Sequence, residues 1–161
     1  MSDKVRRLWQ IIELVARQDE HLQGVRRRLF GAMNPEAVNG DWVARTLASA
    51  EGIDRIESFG AKFARMQDTV MDKLLPQFLA AVGEKPGTAI DNLNRAERLT
   101  LVRNADDWLA MRRLRNRLVH EYIDEPKEMA PALQRVRTFT DELHRTYAAI
   151  RDYAASHLES G

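Results

Sequence analysis

Apolar residues recur along most of this chain at spacings of three, four and seven, the period of helices that bury one stripe. Leu8, Ile12, Val15, Leu22, Val25 and Leu29 make the first stripe. With Ser2 placed to cap it, they predict a helix from Asp3 to about Phe30. Gly31 is a natural stop. Arg26, Arg27 and Arg28 fall in the last turn, where cations suit the helix dipole, so the triplet reads as a solvated helix end before it reads as a nucleic-acid patch. Asn34, Pro35, Asn39 and Gly40 mark a loop, and Asp41 is then expected to cap a helix starting at Trp42. A longer stripe follows through Ile53, Ile56, Phe59, Phe63, Met66, Val70, Leu74, Phe78 and Val82. It predicts a helix of roughly thirty residues, serving as core or as a dimer seam. Gly52 and Gly60 weaken it locally, and Pro76 is expected to kink it.

Gly83 to Gly87, with Pro86, reads as a turn. Asn94-Arg95-Ala96-Glu97 has the form of a capping box and is expected to open a short helix. Asn104 is placed to cap the next, with Asp106 and Asp107 in its first turn and Leu109, Leu114, Leu118 and Val119 as apolar contacts. Asp124-Glu125-Pro126 ends that helix and begins another, and Pro131 is expected to split off a short piece. Leu133, Val136, Phe139, Leu143, Tyr147, Ile150 and Tyr153 mark the buried face of the last helix. There is no strand alternation and no internal repeat. The pattern predicts one all-α domain over residues 1–161, an up-and-down helical bundle.

Composition changes this picture little. Apolar content of 44% and charge of 30% are ordinary for a globular protein, and the net charge is +1. Locally the balance shifts: residues 95–117 hold seven Arg against three acids. Arg outnumbers Lys twenty to five, which reads as coding bias before it reads as selection for phosphate. The absence of Cys excludes disulfides, zinc thiolates and thiol nucleophiles. No apolar run approaches a membrane span, and Glu13, Arg17, Asp19 and Glu20 interrupt any signal-peptide core, so a cytoplasmic location is expected.

Candidate chemistry gathers in Arg115-Asn116-Arg117-Leu118-Val119-His120-Glu121-Tyr122. His titrates near neutral pH, and Arg holds phosphate through a planar fork. Together they suffice to cut a phosphodiester without a metal, moving protons and steadying charge at phosphorus. Residues five apart on a helix diverge by about 140°, so Arg115 and His120 do not share a face. Asn116 and His120 do, as do Arg115 and Tyr122. A site so divided calls for a second copy of the helix across a dimer axis. The other histidines carry less. His144 sits three residues after Asp141, but no second carboxylate–His pair completes a di-metal bundle, and His21 and His157 read as solvated.

Arg115-Asn116-x3-His120, closing an amphipathic helix in a small all-helical chain, resembles the HEPN superfamily. With Tyr122, the Arg-x4-His-x-Tyr form is similar to the HepT branch, the toxin partner of a minimal nucleotidyltransferase antitoxin, MntA, in type VII toxin–antitoxin systems. The run from Asn104 to Leu114, with Trp108, is similar to the lead-in of such proteins, and the order of helices matches over roughly Glu51 to Leu158. The resemblance implies a homodimeric HEPN-like bundle with two composite sites, and a metal-independent endoribonuclease that needs no cofactor. In it His120 moves protons of the ribose 2′-hydroxyl or the leaving 5′-oxygen, Arg115 stabilises the phosphorane, Asn116 supports them, and Tyr122 receives AMP from the antitoxin. Replacing Arg115 or His120 is then expected to abolish cleavage and leave stability nearly intact. Two other readings stand beside it: a non-catalytic nucleotide- or substrate-binding subunit of a nucleotidyltransferase, and a structural dimerisation bundle.

Overall fold

The computed structural model describes residues 2–120 and 124–158, with the backbone alone at 119 and 120. Every regular element among the described residues is helical: α1 (Asp3–Phe30), a 3-10 turn at Pro35–Ala37, α2 (Gly40–Leu47), α3 (Ala50–Thr69), a π turn at Val70–Leu74, α4 (Leu75–Ala81), α5 (Ala89–Arg98), α6 (Ala105–His120) and α7 (Pro126–His157). The chain is an all-α helical bundle. No helix of it is long and apolar enough to cross a membrane, among the described residues.

α1 starts where Ser2 Oγ accepts from the Val5 N–H and ends where Gly31 turns out at φ 58°. α2 begins earlier than the pattern predicts. Asn39, not Asp41, is its cap, accepting from the Trp42 N–H at 2.9 Å. That leaves Asp41 inside the first turn, where an acid meets the positive helix end. Gly52, in the first turn of α3, allows the α2–α3 corner to close: a Cβ there would lie 1.8 Å from the Thr46 carbonyl oxygen.

The long stripe forms α3, the π turn and α4. A local widening of the helix precedes Pro76. The Leu75 N–H reaches back five residues to the Val70 carbonyl, and this wider turn places Pro76 in the first turn of α4, where a missing N–H costs nothing. Ile56, Phe59, Phe63, Met66, Val70, Leu74 and Phe78 are all buried in the chain's own core.

α5 opens on Thr88 and Asp91, a reciprocal capping box six residues before the expected one. Glu97 of the expected box instead accepts from the Ala105 N–H at 2.7 Å, capping the start of α6. Pro131 lies inside a continuous α7. It is exposed, so the carbonyl one turn before it is free to meet water, while Met129, Ala130, Ala132 and Leu133 anchor the helix on both sides. α1 packs on α3, α4 and α7, and α6 lies against α3, α5 and α7.

Candidate functional site

The motif rides on α6. Asn104 Oδ1 accepts from the Asp107 N–H at 3.2 Å, as the spacing predicts, and Asp106 and Asp107 sit at the positive end. The inward face of α6 then runs Ala105, Trp108, Met111, Arg115, Leu118. Steps of three and four keep these positions on one side. Leu109 and Leu114, expected as the contacts, are only half-buried. Trp108 is fully buried, its ring edge-on to Phe139 at 5.3 Å.

Arg115 thus occupies a core-facing position, and its side chain is 8% exposed. Its guanidinium is held by one face of α3. Nη1 donates to the Ala64 carbonyl and to Gln67 Oε1, both at 2.9 Å, and Nη2 donates to Asp68 Oδ1 at 2.7 Å. Nε is buried with no acceptor. Gln67, itself fully buried, uses its other end to donate to the Trp108 carbonyl at 3.1 Å. One turn earlier, Arg112 bridges Asp68 at 3.0 Å and Asp72 at 2.6 Å. Burial lowers the Arg112 pKa, but the hydrogen bonds and charges of Asp72 and Asp68 outweigh that and hold it above its ordinary value. Two arginines of α6, Asp68 of α3 and Asp72 of the π turn therefore form a neutral cluster.

Asn116 is exposed, as are Arg113 and Arg117. His120 is the last residue of α6, and its side chain lies outside the described residues. Tyr122 and Glu121 lie outside them altogether. Gln67 and Asp68 are the residues that sequence reasoning missed. The signal for Gln67 was available: a polar residue flanked by Met66 and Val70 in an apolar stripe needs a buried partner.

A groove of about 710 Å³ lies at the other end of α6, against α7. Arg103, Arg135 and Arg145 line it opposite Asp107, Asp141 and Glu142, so its charges balance. At 1.5 Å per residue it stands roughly 24 Å along the helix from His120. The histidines named from sequence have local duties elsewhere. His144 Nδ1 lies 2.8 Å from Asp19 Oδ2, and the His157 ring stacks on Tyr153 at 4.4 Å. His21 is exposed. Arg26 bonds Thr140 and Asp141 across the bundle, so one member of the basic triplet ties α1 to α7, while Arg27 and Arg28 are exposed. A scan against protein-family models finds no match to this chain, and searches of curated proteins and of solved structures find none.

Proposed function

We propose that this chain is a HEPN-like, metal-independent endoribonuclease toxin of the HepT kind, working as a homodimer in the cytoplasm. One observation carries the reading. A permanently charged guanidinium is buried and fixed at the α3–α6 contact, with its Nε left without an acceptor, on the helix that ends at His120. Burying a cation and stranding one of its donors is costly, and a function at that position would account for the cost.

The chemistry follows from the residue types. His120 abstracts the 2′-hydroxyl proton, the 2′-oxygen forms a bond to phosphorus, and the P–O5′ bond breaks with a proton delivered to the leaving oxygen. Arg115 counters the extra charge on the five-coordinate phosphorus, and exposed Asn116 supports a phosphate oxygen or His120. The need for a 2′-hydroxyl confines the substrate to RNA. A MntA-like nucleotidyltransferase silences the site by placing AMP on Tyr122, adding negative charge beside the cations that RNA requires.

The test is cleavage of RNA by the purified chain in EDTA, with 2′,3′-cyclic phosphate ends and loss of cleavage in His120→Ala. Failure of the wild-type chain to cut, or cleavage unaffected by His120→Ala, refutes the mechanism. The burial of Arg115 favours one competing reading, a structural bundle in which the arginine is only an anchor between helices. An inert wild-type chain with intact fold would select it.

A further inference from the structure

We infer that Gln67 and Asp68 of α3 are positioning residues for Arg115, so that the site is built from two helices and not from the α6 motif alone. The inference rests on the ribonuclease reading. Its own ground is the geometry of the guanidinium. Ala64, Gln67 and Asp68 stand at i, i+3 and i+4 on α3, one helical face, and each offers an oxygen to Arg115 at 2.7–2.9 Å. Three acceptors on one rigid face fix the plane of a fork that otherwise turns about four side-chain bonds. Of five N–H groups, three are then used. Nε and one hydrogen of Nη2 remain, and Nε is buried, so Nη2 is the donor left for a phosphate.

Each holder is itself held. Gln67 cannot flip its amide, because Oε1 faces the Arg115 donor while Nε2 faces the Trp108 carbonyl. Trp108 and Arg115 are seven residues apart on α6, two turns on one side, so a single amide fixes both the helix and the cation. Arg112, which Asp72 steadies, donates to the same Asp68 Oδ1 as Arg115. Asp68 therefore sets both the place and the local charge of the motif arginine. Loss of either effect misaligns a donor that must meet charge as it develops in the transition state.

The experiment uses the full chain with Asp68→Ala and the isosteric Asp68→Asn, which keeps an acceptor for Nη2. Asp68→Ala is expected to lower kcat by about 10²-fold with KM nearly unchanged, and Asp68→Asn to recover much of it. Adding Asp68→Ala to Arg115→Ala is expected to cost nothing further, because the residue acts only through that arginine. Phenylglyoxal labelling with peptide mapping gives a second readout free of activity. Arg115 is expected to be partly protected in the wild type and more fully labelled in Asp68→Ala, with exposed Arg113 labelled in both. Full kcat with Arg115 still protected, or losses that add in the double variant, would overturn the inference and leave the ribonuclease reading standing. A wild-type chain that does not cut RNA overturns that reading and the catalytic role of Asp68 together, whatever the labelling shows.

Discussion

Replacing Arg115 with Ala is expected to destabilise the bundle, contrary to what the motif alone implies. The three acceptors do not suffer equally. The Ala64 carbonyl keeps its partner within α3, since a helical carbonyl bonds four residues ahead. Asp68 keeps Arg112 at 3.0 Å and is 45% exposed, so water screens what it loses. Gln67 Oε1 is different: its residue is fully buried, and Arg115 is its donor. An acceptor left unpaired in the interior costs about 1–3 kcal/mol. The arginine stem also packs between α3 and α6, and its loss opens space worth about 1–2 kcal/mol. Release of the buried charge and its orphaned Nε offsets part of this. The sum is about 3 kcal/mol, or a fall in Tm of roughly 6–12 °C for a chain of this size. Urea denaturation measures it, with an unchanged m-value showing that the unfolded state is the same. A double variant, Arg115→Met with Gln67→Leu, removes both partners and is expected to be more stable than Arg115→Met alone. A Tm for Arg115→Ala within about 1 °C of the wild type, less than about 0.5 kcal/mol, would refute this account of the contact. The same number governs toxicity assays: loss of growth inhibition in Arg115→Ala reports on catalysis only after the loss of fold is subtracted.

Gly52→Ala is expected to destabilise by about 2 kcal/mol or more, because a Cβ there meets the backbone of Thr46 and not a movable side chain; urea denaturation within about 0.5 kcal/mol of wild type would contradict it. Thr100 holds φ 61° between α5 and α6, a left-handed backbone that suits a β-branched residue poorly. Thr100→Gly is therefore expected to raise stability by about 0.5–1 kcal/mol, and a lower Tm would show that the side chain contributes more than the strain costs. Tyr122→Phe is expected to keep most RNase activity yet escape silencing when co-expressed with a MntA-like nucleotidyltransferase; an unmodified Tyr122 peptide with full neutralisation would mean inhibition by binding alone.

The helices were legible where a single physical signal dominated. α1 lies where its stripe, Ser2 cap and Gly31 stop place it, because all three agree. The misplaced starts of α2 and α5 came from competition between equivalent caps. Asn39 and Asp41 both suit a helix start, as do Thr88 and Asn94, and sequence alone does not say which set of backbone donors is reached first. One proline reading fails, since Pro131 does not split α7. Pro76 and Pro131 both sit where the chain absorbs a missing N–H, one after a π turn and one on an exposed edge near a helix start. Such relief depends on neighbouring packing, which local pattern does not contain.

The candidate site was half legible for a related reason. Arg115 was identified as a motif cation, which invites the assumption that it faces solvent and substrate. Its register says otherwise. Counting from Trp108 and Met111, position 115 falls on the inward face, so an arginine there needs buried acceptors from a facing helix. Gln67 makes the converse statement from α3: an amide inside an apolar stripe needs polar partners across the contact. Each anomaly predicts the other, and neither is readable without asking which helix faces which. The pair also bears on what a site of this kind requires. A buried fork held by α3 gains fixed direction but leaves only two N–H groups unused, one of them the buried Nε. Substrate grip must then come from the exposed side of α6, where Arg113, Asn116 and Arg117 stand, or from a second copy of the same helix. A dimer contact formed on that polar side is expected to weaken with salt. Light scattering across a salt series checks this. A dimer indifferent to ionic strength would place the contact elsewhere.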